Sequence, residues 1–438
     1  MTNRRHFAKA MLAGSAIPAA AAQEVSRRTA GLPPLTIKDV RVIATSGGGN
    51  YRWIFLKIIT SEPGLYGIGS GSNHYQAQAV IAALENHLKP WLIGKDPNQI
   101  EDLWQSSHLR TYWRNGPVNN NVLSAMDMAL WDIKGKRAGM PVYELLGGRV
   151  RDAVPLYDHV GGKDASSAAE AVQRSMADGW RFIRVQFGAY GGGGFLPPGQ
   201  GTRPEGGNAG SAFDEETYVE QVPRMLEQVR ARVGMEPKLC HDVHSHLQGM
   251  NAAEFCRRVQ ALQMFFVEDV LAPEQIQWYR HIRQLCTTPQ AVGEVFTHPF
   301  EYLPLITERL IDFVRCRVSG IGGITPAKKI ATLCEAFGTR TAFQEGGEND
   351  PVNQLAAYHV DISSPGFGIQ EENHFPPVVR EILPGTAEIR KGYLYGSGKP
   401  GLGIDIDEAA AARFPIRIPH DGGPYRLDRG VDGSVVKP

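Results

Sequence analysis

Leu239-Cys240-His241-Asp242, Phe265-Phe266-Val267-Glu268 and Ala291-Val292-Gly293-Glu294 are three short, mainly apolar runs that each end on an acid, and the acids stand 26 residues apart. An apolar run, a helical stretch and a return to the next run make one βα unit, and this interval fits one. Carboxylates at the C-terminal ends of successive parallel strands converge on the face of a barrel where barrel enzymes keep their chemistry. Asp242, Glu268 and Glu294 are therefore candidate ligands of one divalent cation. Oxygen donors without Cys or His select a hard ion, Mg2+ first and Mn2+ as its substitute.

The flanking sequence continues the alternation. Strand-like runs at 154–160, 182–186, 238–243, 265–269, 290–294, 313–318, 339–344 and 368–371 are separated by helical stretches. Eight such units predict an α/β fold with a closed parallel barrel over residues 151–391; an open doubly wound sheet is the alternative. Ahead of it, strand patterns at 37–45, 53–60 and 67–70 lead into helical periodicity at 77–88 and 122–138. That is an α+β domain over 36–150, preceded by a linker at 23–35. Residues 392–438, rich in Gly and Pro, are expected to pack back on the first domain, with a short helix near 406–413.

Two domains suit 438 residues, and 42% apolar with 21% charged residues suits an ordinary enzyme core. A formal net charge of zero argues against nucleic acid or an anionic membrane as the main partner. Asn3-Arg4-Arg5-His6-Phe7 precedes an uncharged, Ala-rich stretch ending at Ala22. Residues 1–22 read as a twin-arginine-type signal peptide, too short to span a bilayer, which predicts a periplasmic or exported protein with no membrane contact once it is removed. The five cysteines include no CxxC pair, so neither a disulfide framework nor a zinc site is expected.

Further candidates cluster at the same strand ends. His244 lies two residues after Asp242, on the same face if the strand continues, and can act as acid or base near neutral pH. Arg184 and Gln186 end the second barrel strand. Arg184 could meet an anionic substrate, and Arg315 on the sixth strand could orient a metal-bound carboxylate. Gln344 and Glu371 end the seventh and eighth strands, where substrate contact is expected. After the second strand comes an insertion, 188–210, with ten glycines in 23 residues. It is a lid or a surface excursion, and it lacks the GK[ST] ending of a phosphate loop.

Several stretches resemble the enolase superfamily, and within it the mannonate dehydratase (starvation-sensing protein) group of acid-sugar dehydratases. They are Tyr112-Trp113-Arg114-Asn115-Gly116-Pro117-Val118, Met126-Asp127-Met128-Ala129-Leu130-Trp131-Asp132-Ile133-Lys134-Gly135-Lys136, 145–148, 183–186, Val292-Gly293-Glu294 and 367–371. The resemblance implies an N-terminal capping domain closing a (β/α)7β TIM-like barrel, and homo-oligomeric assembly. It implies a Mg2+-dependent hydro-lyase. A proton leaves the carbon beside a sugar-acid carboxylate, an enediolate forms, and the adjacent hydroxyl departs. Asp242, Glu268 and Glu294 match the metal ligands and His244 the acid for the departing hydroxyl. Arg184 matches the arginine supporting a tyrosine base, for which Tyr190 is the nearest candidate. Asn73, His159, Arg315 and Glu371 match substrate-pocket positions.

Gln344 stands where that group has a histidine, and Glu348 where it has an aspartate. The final tryptophan of the group is missing from 433–438. These departures point to an acid other than mannonate. Epimerisation or another lyase reaction through the same enediolate is the alternative chemistry, and a non-catalytic acid-sugar-binding regulator the alternative class.

Overall fold

The computed structural model describes residues 33–188, 194–207, 209–417 and 429–436. The expected signal peptide, most of the linker and Tyr190 lie outside the described residues.

Strands Ile37–Thr45, Trp53–Thr60 and Tyr66–Ser70 form an antiparallel meander. Its third strand lies on the 22-residue helix Pro117–Ala138. The contact is close because the strand carries glycines at alternate positions. A Cβ on Gly67 would stand 2.1 Å from the Ala129 carbonyl oxygen, and one on Gly69 2.2 Å from that of Ala125. Proline in the first turn and left-handed Gly139 after the last bound the helix.

The expected parallel strands are all present, as Val154–Gly162, Phe182–Phe187, Lys238–Asp242, Phe266–Glu268, Gln290–Val292, Phe313–Val314, Arg340–Thr341 and Gln370–Glu371. Helices Ala165–Ala177, Glu215–Val233, Gly249–Val259, Tyr279–Leu285, Pro299–Thr307, Ile324–Phe337 and Pro351–Ile362 separate them. Aspartates 164, 214 and 350 cap three of these helices through backbone N–H groups. Closure is direct. Glu371 pairs with Tyr157 on one side, while on the other Thr341 bridges to Phe367 and Glu371 N donates to Phe343 O at 3.2 Å. The fold is therefore a (β/α)7β barrel with a capping domain, and the open sheet is set aside.

Three expectations change in detail. The sixth and seventh ladders are two residues long, shorter than expected, because the chain beyond them turns away; a 3-10 turn follows at Ser319–Ile321. In the Gly-rich insertion, Phe195–Leu196 pairs with Ala212–Phe213 as a hairpin, and Phe213 N donates to Arg429 O at 2.9 Å. The C-terminal segment touches both domains. Tyr393–Tyr395 pairs with the start of the first barrel strand. Glu408, on the short helix Glu408–Ala412, meets Lys57 of the capping domain at 2.7 Å.

Candidate metal centre and active site

Period-two alternation builds the site in two layers. Tyr157, Cys240, Phe266, Ala291, Phe313, Ala342 and Ile369 form a closed apolar cluster inside the barrel. Two residues further along the same strands stand His159, Asp242, Glu268, Gly293, Arg315, Gln344 and Glu371. Arg184 of the second strand, in register with His159, joins this layer through its contacts with Asp242, Glu268 and Glu371. A dry floor thus supports a charged ring.

Two buried guanidinium groups organise that ring. Arg315 is 0% exposed. Its Nη1 donates to Glu294 Oε2 at 2.6 Å and Asp269 Oδ2 at 3.3 Å, its Nη2 to Glu371 Oε2 at 2.8 Å, and its Nε to the Tyr157 hydroxyl at 3.2 Å. Glu268 Oε2 stands 3.1 Å from Nη2. Arg184 Nη1 donates to Glu371 Oε1 at 3.0 Å and lies 3.4 Å from both Asp242 Oδ2 and Glu268 Oε2. Five carboxylates therefore face two guanidinium groups, a negative surplus in a low-dielectric setting.

The surplus divides the acids. Burial pushes Glu268 up to about 8, against the pull of Arg315 and Arg184. Burial likewise carries Asp269 to about 7. Glu371 goes the other way: burial opposes its ionisation, but Arg315, His159 and Arg184 hold it well below the usual carboxylate range. Asp242 is also lowered, with His244, Arg184 and Arg315 outweighing its burial.

The donor set fits a hard cation. Ligand atoms of Asp242, His244 and Glu294 lie within 4.8 Å of one another, a group that takes in His244 and not Glu268, the third ligand expected from the sequence. Glu268 Oε1 is buried and makes no hydrogen bond, leaving one oxygen to offer an ion. A divalent cation among these oxygens offsets the negative surplus.

Local backbone explains how two of these groups arrive. Glu294 is out of phase with the strand alternation, since Gly293 holds the inward position. The chain turns at Gly293, φ 130°, and this brings Glu294 to Arg315. Asp269 Oδ1 accepts from Gly293 N at 2.7 Å and fixes the turn. A Cβ at Gly293 would stand 3.0 Å from the Phe296 ring, in a backbone region L-residues rarely adopt. Gly293→Ala is expected to cost about 1–3 kcal/mol and to shrink the Mg2+-induced rise in Tm; an unchanged rise would show that the turn does not place Glu294.

His244 reaches the site by a different route from the one expected. The strand ends at Asp242, and His244 and Ser245 are left-handed, at φ 54° and 62°. His244 N donates to Asp242 Oδ1 at 2.8 Å, and this short turn returns the side chain to the cluster. Gln186 takes a structural part. Its amide exchanges hydrogen bonds with the Asp242 backbone, 3.1 Å to O and 3.3 Å from N, extending the ladder where backbone pairing stops.

The remaining expected residues are each held by local contacts. Asn73 Oδ1 accepts from Tyr75 N and Gln76 N, at 3.2 and 2.9 Å, holding the capping loop in a turn. Glu348 is engaged by Arg317 at 2.8 Å, and Arg317 also donates to Ser72 O at 3.1 Å, beside Asn73. The Gln344 side chain turns into its own loop, accepting from Asn349 Nδ2 at 3.0 Å and donating to Gly346 O at 3.3 Å. His159 Nε2 lies 2.9 Å from Glu371 Oε1.

Sequence reasoning passed over Asp269, Tyr157 and Arg317. Tyr157 and Arg317 sit two residues from His159 and Arg315, so the same alternation could have found them. Asp269, beside Glu268, is inward only because its backbone is left-handed, φ 39°.

Comparison with known proteins agrees with this architecture. Residues 32–147 match the mandelate racemase/muconate lactonizing enzyme N-terminal domain, and residues 167–410 match the enolase C-terminal domain-like family. The chain is 50% identical over 410 residues to a D-galactonate dehydratase family member of Paenibacillus sp., covering 92% of this chain and 99% of the relative. It is 44% identical to a D-galactonate dehydratase family member, RspA, of Pantoea ananatis, with 92% and 99% covered. A crystal structure of an enolase from Pantoea ananatis with bound D-gluconate and magnesium superposes with a TM-score of 0.88 at 44% identity, over 92% of this chain and 100% of that one. With both domains matched and relatives aligned along nearly their whole length, the chain belongs to the enolase superfamily and, within it, to the D-galactonate dehydratase family of acid-sugar dehydratases.

Proposed function

We propose that this protein is a Mg2+-dependent hydro-lyase that removes water from a sugar acid, taking the proton from the carbon beside the carboxylate and releasing the adjacent hydroxyl. The carrying observation is the ring of five carboxylates around Arg184 and Arg315, with Glu268 Oε1 left to a cation. Mg2+, when bound, would supply Lewis acidity for the substrate carboxylate and for the charge that develops beside it. Asp242, Glu268 and Glu294 hold the ion, and Arg315 and Arg184 hold those carboxylates in place. His244 protonates the departing hydroxyl. Tyr190 remains the candidate base.

Epimerisation is the weaker reading, because it needs proton-carrying groups on both faces of the carbon. Gln344 carries no proton near neutral pH, and its amide is occupied by Asn349 and Gly346. The test incubates the protein with Mg2+ and a panel of aldonic and aldaric acids that includes D-gluconate and D-galactonate. A 2-keto-3-deoxy product from at least one acid, abolished by EDTA, is expected. Saturable binding of one acid with turnover of none would replace this reading by the sugar-acid-binding one.

Export by the twin-arginine route belongs to the same proposal and rests on Arg4-Arg5 and the Ala-rich stretch to Ala22. Cell fractionation of an Arg4→Lys, Arg5→Lys variant should find the protein retained inside; unchanged export would exclude that route.

A further inference from the structure

Four side chains connect the buried ring to solvent. Glu371 is 1% exposed. Beside it stands His159, whose Nε2 is 2.9 Å from Glu371 Oε1 and whose Nδ1 is 3.7 Å from Glu372 Oε1. Glu372 in turn is in close contact with Nδ1 of His374. The inner end is buried and the outer end open: side-chain exposure is 2% at Glu371 and 60% at His374, with His159 and Glu372 between them at 24% and 10%. Carboxylate and imidazole alternate along the whole path.

The fold makes this arrangement. Glu371 and Tyr157 are in register across the closing seam of the barrel, and His159 lies two residues on, facing the same interior. The eighth strand ends at Glu371, so the chain bends and carries Glu372 to the other edge of the imidazole. One ring nitrogen then faces each of two consecutive acids. Neither His159 Nε2 nor Glu372 Oε2 is fixed by an aligned hydrogen bond, although each is within ion-pair distance of a partner.

Dehydration creates a use for such a path. The C–H and C–O bonds break, one water forms, and the enol becomes a ketone by moving its own proton from oxygen to carbon. No proton is gained or lost overall. The base nevertheless ends the cycle protonated and the acid deprotonated, and both must be reset. An imidazole between two carboxylates can take a proton on one nitrogen and release one from the other.

We propose that His159 exchanges protons at this site and that Glu372 and His374 connect it to solvent, resetting protonation between turnovers. The proposal rests on the dehydration reading for its use, but the connection itself can be measured without substrate. Glu372 and His374 act through His159 and are positioning groups. The charged and titratable neighbours facing His159 are Tyr157 and Asp158 on its own strand, Arg184 on the second strand, Glu371 and Glu372 at the end of the eighth, and His374 beyond it.

Histidine-selective NMR titration of the Mg2+-loaded protein reads the connection. In Glu372→Gln, His374 should titrate lower than in the wild type, since it loses the Glu372 carboxylate that raises it, and the ring resonances of His159 should move as well. Movement of His374 alone would overturn the proposal. With an acid that is turned over, His374→Ala should lower kcat about tenfold in dilute buffer with KM unchanged. Added imidazole should restore the rate. A wild-type rate in dilute buffer, or a loss that imidazole does not repair, would also overturn it. Failure of every acid in the panel would count against dehydration while the titration still decided the connection.

Discussion

Arg315→Met should give the most damaged protein of any single change at the site. Methionine approximates the volume of the arginine stem and removes the positive charge. Glu268, Asp269, Glu294 and Glu371 each lie within 3.3 Å of this guanidinium, which has no exposed surface. Breaking one buried pair by removing one partner costs about 3–5 kcal/mol, since the remaining charge is stranded. Here several charges are stranded together, and part of the cost is relieved by protonation. A fall in Tm of about 10 °C is expected in the metal-free protein. Arg315→Lys keeps the charge without the planar fork and should fall between the two. A methionine variant with wild-type Tm would show that the ring does not depend on this arginine. Should the methionine variant fail to fold, the lysine variant carries the test through its reduced Mg2+-induced stabilisation.

Glu268→Gln should separate chemistry from stability. The change is nearly isosteric and deletes one charge from a crowded set. Turnover should fall at least about a thousandfold, roughly 4 kcal/mol of barrier, because a metal ligand is lost. Metal-free stability should hold or rise, since burial already opposes ionisation of Glu268 and pushes it up to about 8. The sign follows from proton linkage. A carboxyl raised in the folded state holds its proton more tightly there than in the unfolded chain. Its contribution to metal-free stability therefore grows as pH falls below about 8 and is complete near the ordinary value of 4.5. The glutamine variant lacks that component and should show a flatter pH profile in EDTA. It should also lose the rise in Tm that Mg2+ gives the wild type. Full activity in this variant would remove Glu268 from the ligand set; a Tm lowered as far as that of Arg315→Met would mean that the charge surplus has been misjudged.

The barrel was legible because each βα unit repeats one pattern, an apolar run closed by a polar residue. The acids were legible for the same reason, yet their equal spacing hid a difference. Asp242 and Glu268 follow strict alternation from Cys240 and Phe266, while Glu294 depends on a turn at Gly293 that periodicity does not encode. His244 does lie beside Asp242 and Glu294, but a left-handed turn brings it there and not the longer strand that the alternation assumed. The engagement of Glu348 by Arg317 was out of reach, because it joins the loop after the sixth strand to the loop after the seventh, with Ser72 of the capping loop accepting from the same guanidinium, and no local pattern records a contact between segments far apart in the chain. Tyr157 could have been read, being one alternation below His159, but a tyrosine among apolar neighbours carries no sign of a guanidinium above it.

Arg315 clasps residues of the first, fourth and eighth barrel strands and of the turn after the fifth at once, so the group that gathers the charged ring also fastens the cylinder. Anyone evolving this enzyme toward a new acid would find that libraries at the charged ring are screened first for solubility and only then for turnover. The loops at Asn73, Arg317 and Glu348 lie outside that constraint and are the better place to begin mutagenesis.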